Sequence, residues 1–338
     1  MARMTMAQAV QLGAQALERA GASADMARAT AEALVLADAQ GLASHGLSRV
    51  PQYAGHLRAG RVEGAARPTV HALRGAAVVV DAHDGLAFEA CTLAVQEAIA
   101  RAASHGVACA GVVNSHHGGV MVDHLRAVAA AGMVGLAFAN APAAMPAAGG
   151  RHPVFGTNPI AAIFPRRPGA GDPLMIDLSL SEVARGKLMM AAKEGRSIPL
   201  GWALDVDGQP TTDPARGMEG SMLPLGAASS PKGAMLALMI ELLSSAVIGA
   251  HFSFEADTFF VDEGNKPRIG QAFIVIDPGA LAGSGSYLER VEVLVAEMLR
   301  DDGVRLPGAR REALRRAAEQ DGIEVPDGLV AVLRGEPV

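Results

Sequence analysis

His45 and Arg49 lie four residues apart in the stretch Ser44-His45-Gly46-Leu47-Ser48-Arg49-Val50-Pro51-Gln52-Tyr53. An imidazole titrates near neutrality and can give or take a proton at physiological pH. A guanidinium is a planar fork that matches a carboxylate. Together they supply what chemistry on a small carbonyl acid needs: a proton at one end and a clamp at the other. A helix from about His45 would put His45, Arg49 and Tyr53 on one face, with Ser44 just before it. Pro51 allows a second arrangement, because proline suits a first helical turn. The helix would then be capped near Ser48, with His45 in the preceding loop. The bland alternative is a polar helix start whose histidine only satisfies a loop carbonyl.

Other groups that could do chemistry are scattered along the chain. Asn114-Ser115-His116-His117-Gly118-Gly119 reads as a loop that brings an imidazole to a cleft, or as a solvated turn. His117 and His124, seven apart, would share a face if helical, with Asp123 adjacent, but no H-E-x-x-H and no cysteine pair completes a metal site, so none is expected. No G-x-S-x-G elbow supports a serine nucleophile. Thr157 and Asn158 would offer polar groups to a substrate, although Gly156-Thr157-Asn158-Pro159 is a turn signal in itself. No G-x-G-x-x-G and no Walker sequence is present, so a dinucleotide would need another seat. Asp177-Leu178-Ser179-Leu180-Ser181 reads as a strand feeding a helix start, whose free N–H groups suit a phosphate, and Lys232 adds charge at another helix start. Asp205 and Asp213 flank loop tips and are expected in solvent.

The elements that must position these groups follow from periodicity. Helices are expected over residues 4–20, from Ser23 or Asp25 to Asp38, and on to Gly60. From Thr69 the pattern turns to mixed α/β, with strands at 76–81, 107–113, 133–140, 160–164, 174–178 and 271–277. Between them, helices are expected at 86–104, up to about Ala131, and from about Ser181 to Glu194. Residues 205–231 read as a long irregular loop. The apolar run from Ala234 to Ala250 reads as a buried helix, because Glu241 and two serines interrupt it as a membrane span. The tail from Tyr287 is helical again. The expected division is a helical domain from residues 1–67 and 285–338, and an α/β core from 68–284.

Composition narrows the partners. Half of the 338 residues are hydrophobic, so the chain folds as a globule rather than staying disordered. A net charge of -6 without a basic stripe and only 4% aromatics argue against nucleic acid. Neither a membrane span nor a signal peptide is expected. Cys91 and Cys109 read as buried free thiols in a reducing cytoplasm.

Taken in order, the motifs resemble one family. Ser44-His45-Gly46 with Arg49 and Tyr53, Asn114-Ser115-His116, Phe155-Gly156-Thr157-Asn158-Pro159, Met175-Ile176-Asp177, Pro231-Lys232-Gly233 and Leu306-Pro307-Gly308 together resemble the malate/L-lactate dehydrogenase family of the sulfolactate dehydrogenase-like type. The resemblance spans nearly the whole chain. It implies an α/β, non-Rossmann fold whose mixed, largely antiparallel sheet holds a nicotinamide coenzyme, and a homodimer with the site near the subunit contact. It implies that His45 is the acid/base group, Arg49 a substrate-carboxylate contact and His116 a proton acceptor. It also implies that Asp177 to Glu182, Lys232 and Gly308 to Arg310 bind the coenzyme. Phe252-Ser253-Phe254-Glu255 looks most like the cyclic imino acid reductases, whereas residues 257–267 look closer to the sulfolactate dehydrogenase-like members. Ser229 and Ser230 stand where many members have glycines.

The expected function is therefore hydride transfer between NADP or NAD and C2 of a small 2-oxo, 2-hydroxy or cyclic 2-imino acid. Ser44, Tyr53, Thr157 and Asn158 would contact the substrate. Asp177, Leu178, Ser179, Ser181, Glu182, Arg185, Lys232, Gly308, Arg310 and Arg311 would contact the coenzyme. A ribose 2′-phosphate calls for arginine, so Arg185 and Arg311 favour NADPH. The rival readings are a coenzyme-binding module without catalysis and a histidine-based, metal-dependent hydrolase or lyase.

Overall fold

The computed structural model describes residues 1–336. Its centre is a seven-stranded sheet in the order Thr69–Arg74, Ala77–Asp81, Val107–Ser115, Ile269–Ile276, Val134–Ala139, Ile160–Phe164, Leu174–Leu178. Every neighbouring pair is antiparallel except Ala77–Asp81 with Val107–Ser115. The sheet is thus mixed and largely antiparallel, as expected. Its middle strand, Ile269–Ile276, comes from late in the chain. It registers Phe273 between Ala110 and Ala137, where small neighbours leave room for the ring. Helix Ala87–His105 covers one face and buries an alanine-rich stripe with Cys91, Ala94 and Ala98 against it. Small residues let helix and sheet approach closely, so much apolar area leaves water per residue.

A second hydrophobic cluster draws on both ends of the chain: Leu17, Leu34, Val50 and Tyr53 pack with Ile323, Val330 and Leu333. Strand Ala2–Met4 pairs antiparallel with Ile323–Val325, tying the ends by hydrogen bonds. Thr5 caps helix Met6–Arg19 in a reciprocal box with Gln8, and Ser23 caps Ala24–Ala39. Helix Ser284–Met298 docks elsewhere. Its Glu292 pairs with Arg166, and Tyr287 donates to the Pro165 carbonyl, so it is fastened to the sheet's side of the molecule.

Several expectations are corrected. The helix expected at Ser181 begins at Arg185, because Ser181 forms a bridge with Pro224 and its N–H is taken by Ser179 Oγ. Residues 205–231 contain helix Pro214–Glu219 and strand Ser221–Met222, paired with Ala203–Leu204. Asp205 is buried there, accepting from the N–H groups of Asp207 and Gln209 and pairing with Arg216. Helix Lys232–Glu241 is not enclosed: Ala234, Ala237 and Ile240 face inward, but Met235, Leu236, Leu238 and Met239 are exposed. Cys91 is buried, but Cys109 is exposed.

Candidate active site

The Ser44–Arg49 segment takes the second of the two expected arrangements. His45 ends a 3-10 turn, Ala43–His45; a second turn, Leu47–Arg49, leads into helix Val50–Arg58, with Pro51 in its first turn. Asp38 fixes this entry: its carboxylate accepts from the Leu47 N–H at 2.8 Å and lies against Gly46. A Cβ on Gly46 would meet Asp38 Oδ1 at 1.8 Å, so only glycine fits. Burial raises the Asp38 carboxyl to about 6. His45 Nδ1 contacts Ser44 Oγ at 3.0 Å. Arg49 donates through Nε to the Ser44 carbonyl at 2.7 Å and through Nη1 to Gln52 at 2.9 Å.

Two adjoining cavities of about 210 Å³ each meet here. One lies between Gly118, Gly119, Asn140, Asp177 and Arg311. The other lies between Ser44, Arg49, Arg185, Phe259 and Phe260. His45, His117, Ala141, Thr157 and Ser179 line both, forming a seam where contents of one touch contents of the other.

The seam histidines have assignable protons. Tyr53 is fully buried, its phenol pushed above the ordinary range by that burial, and its hydroxyl lies 2.6 Å from His117 Nδ1. No other acceptor for that hydroxyl is present among the described residues, so it donates to Nδ1 and the ring's remaining proton sits on Nε2. His117 thus offers a neutral N–H donor. Burial first, and then Arg49 and the other histidines, hold it well below the usual histidine range. Burial, with Arg49 and Arg311 nearby, lowers His45 to about 4. The two rings stack at 5.6 Å.

His116, expected as proton acceptor, lines neither cavity. Its side chain turns inward, and its Nε2 lies 2.9 Å from His56 Nδ1. His56 Nε2–H donates to the Val261 carbonyl at 3.0 Å, so His56 Nδ1 accepts and His116 donates. Its neighbour His117 reaches the cleft instead. Tyr53 and Asn158, expected on substrate, are likewise fully buried. Tyr53 orients His117. Asn158 donates to the Ala237 carbonyl and to Glu241, which also receives the N–H and hydroxyl of Ser253. It anchors helix Lys232–Glu241 to the turn that presents Thr157.

Of the residues expected on coenzyme, Asp177, Ser179 and Arg311 line the first cavity. Asp177 accepts from the Val122 N–H, lies 3.7 Å from Arg311, and is raised to about 6, chiefly by burial. Arg311 Nη1 is buried without a hydrogen-bond partner. Gly308, at φ +91 against Met175, starts the Ala309–Asp321 helix that carries Arg311. Leu178, Ser181, Glu182, Lys232 and Arg310 line neither cavity. Glu182 accepts from the Gly226 N–H beside the turn that leads to Lys232. Arg185 belongs to the second cavity, away from Asp177.

Sequence reasoning missed Arg61. It is 1% exposed and donates to the carbonyls of Asp257, Thr258, Val261, Glu263 and Asn265. One guanidinium thereby shapes the loop that brings Phe259 and Phe260 over the second cavity. A lone arginine in a turn carries no pattern that could have announced this.

Comparison with known proteins agrees over full length. The family model described as malate/L-lactate dehydrogenase matches residues 4–334. A (2R)-3-sulfolactate dehydrogenase (NADP(+)) of Chromohalobacter salexigens is 47% identical over 339 residues, covering 100% of this chain and 99% of that one. A Δ1-pyrroline-2-carboxylate/Δ1-piperideine-2-carboxylate reductase of Pseudomonas aeruginosa is 36% identical, with 97% of each chain covered. The crystal structure of Δ1-piperideine-2-carboxylate reductase from Pseudomonas syringae superposes with TM-score 0.92 at 34% identity, covering 99% of both chains. Sulfolactate dehydrogenase from Methanocaldococcus jannaschii gives 0.87 at 29%, covering 99% of this chain and 98% of that one.

Proposed function

This chain belongs to the malate/L-lactate dehydrogenase family, and from that membership we propose how its residues divide the work of an NAD(P)-dependent oxidoreductase acting at C2 of a small 2-oxo, 2-hydroxy or cyclic 2-imino acid. The observation that carries the reading is the seam: two cavities joined at His45 and His117, with Arg311 lining the first and Arg49 and Arg185 lining the second. The cavity with Asp177, Ser179 and Arg311 suits the coenzyme, because the buried Arg311 Nη1 has only a 3.7 Å ion pair with Asp177 and no hydrogen bond, which leaves it able to donate to an anionic or carbonyl acceptor. When bound, the nicotinamide coenzyme supplies or accepts the hydride. Arg49 clamps the C1 carboxylate. His117 Nε2–H holds the C2 oxygen or nitrogen by a hydrogen bond. His45 takes the hydroxyl proton in oxidation and returns it in reduction. His117 is the poorer proton donor, since losing Nε2–H would require its high-pKa partner Tyr53 to ionise. NADPH is favoured over NADH, supported by the relative named for NADP(+).

The direct test follows the reduced coenzyme's absorbance with a panel of such acids. Turnover with NADPH exceeding that with NADH is expected. No turnover with either coenzyme would sink the reading and favour a silent binding module.

No helix among the described residues is long and apolar enough to cross a membrane. The unpaired thiols Cys91 and Cys109 support a reducing, cytoplasmic setting. The exposed methionines and leucines of helix Lys232–Glu241 support a homodimer. Light scattering should return twice the 34.6 kDa chain mass; a mass of one chain at micromolar concentration would refute it. The division into 1–67 with 285–338, and 68–284, is best drawn with helix Ser284–Met298 on the core side, given its ties to Pro165 and Arg166.

A further inference from the structure

The second cavity holds more positive charge than a monoanionic acid can answer. Arg49 and Arg185 both lie over the Phe260 ring, at 5.8 and 4.9 Å from its centroid. No aspartate or glutamate lines this cavity, and among the described residues neither guanidinium pairs with a carboxylate. Arg185, half-buried beside Phe260, has one hydrogen bond, to the Met218 carbonyl at 3.3 Å. The histidines at the seam are neutral at pH 7 and add no charge. A cation partly drawn out of water without a counter-ion is costly, and a ligand anion that shuts the remaining water out and pairs with it offsets that cost.

We propose that Arg185 is a specificity-determining residue: it receives a second anionic group, a carboxylate or sulfonate carried on C3 of the acid, while Arg49 holds the C1 carboxylate. The site is then made for dianionic 2-oxo and 2-hydroxy acids rather than for lactate-like or cyclic imino monoanions. This rests on the reading of the cavity as the acid's seat. Phe260 is the spacer. One ring supports both guanidiniums, so the distance between the two anion seats is set by a rigid group, and Arg61 fixes the loop that carries it. A monoanion in this cavity would leave Arg185 unpaired. A dianion leaves neither cation bare.

The test compares kcat/KM in the reductive direction for four acids: the 2-oxo forms of sulfolactate, malate and lactate, and Δ1-piperideine-2-carboxylate. Wild type, Arg185→Gln and Arg185→Lys are measured with NADPH. Wild type should prefer the two dianions. Arg185→Gln should collapse the dianion-to-monoanion ratio by about 100-fold, as expected for truncating one partner of a buried charge pair. Arg185→Lys should restore part of it, and the coenzyme KM should not move. A wild-type preference for a monoanion overturns the proposal, as does an equal loss on all four acids or an effect confined to the coenzyme KM. Turnover of the monoanions alone leaves the oxidoreductase reading intact and removes only this inference. Turnover of none removes both.

Discussion

His45→Ala should lower kcat for the 2-hydroxy acid by about 10²–10⁴-fold, the range that a positioned general base supplies. The ring stands at the seam of the two cavities, and its depressed pKa of about 4 keeps it unprotonated at neutral pH, ready to accept the hydroxyl proton. Burial is the larger cause, with the positive charges of Arg49 and Arg311 adding to it. Oxidation, measured as kcat/KM, should therefore hold on the acid side until the free enzyme's His45 protonates, near the same value. Removing one positive charge favours the imidazolium, so Arg311→Gln should move that acid limb upward in pH. For reduction the histidine must carry a proton. A carboxylate seated on Arg49 offsets one of the two charges and raises the ring's pKa in the bound state. Tyr53→Phe should cost less than His45→Ala, because it frees His117 to change tautomer without removing either imidazole. Turnover of His45→Ala within a few-fold of wild type would remove it from the proton path and leave His117 as the candidate.

That His45 and Arg49 come together was legible in the sequence because their spacing is local, and both line the second cavity. Four residues separate the imidazole from the guanidinium, and Pro51 already limited where the helix could begin. The strands at Ile160–Phe164 and Leu174–Leu178 were legible to the residue because apolar runs end there at turn signals. What could not be read depends on long-range packing. His116 and His117 are sequence neighbours, and only the bend after strand Val107–Ser115 decides that one enters the core and the other the cleft. Arg185 follows the Asp177 strand by eight positions, which suggested a coenzyme contact. Ser181's bridge to Pro224 delays the helix and swings its first residue to the other cavity. Helix Lys232–Glu241 is apolar on nearly every side, and such a sequence does not distinguish a face buried within the chain from one left for a partner. The buried Asp205 was read as solvated because its two N–H donors and Arg216 come from the turn it organises.

The same buried histidines should make the fold sensitive to acid. His45, His56, His116, His117 and His124 all have lowered pKa values, with burial the leading cause in each. Unfolded, they would protonate near their ordinary value of about 6.5. Below that pH the unfolded chain binds protons that the folded chain refuses, so the stability present above it is lost as pH falls. Asp38 and Asp177 work the other way: raised to about 6, they hold protons in the folded state that the unfolded state has released. Glu89, also raised by burial, adds to them, and between their folded and unfolded values these carboxylates offset part of the histidines' effect. Five lowered histidines against three raised carboxylates leave a net loss of stability as pH falls through the ordinary histidine range. Asp84, Glu292 and Glu312, held low by arginines or lysine, add further loss only at more acid pH. Urea midpoints measured at about pH 7.5, 6 and 5 should fall, with the steeper drop over the lower interval. His124→Gln, which removes one titrating ring behind the Gly118 carbonyl it now binds, should flatten the slope by about one proton even if it lowers stability at every pH. Midpoints constant from about pH 7.5 to 5 would mean that these imidazoles protonate as readily folded as unfolded, and the neutral seam assigned to His45 and His117 would fall with them.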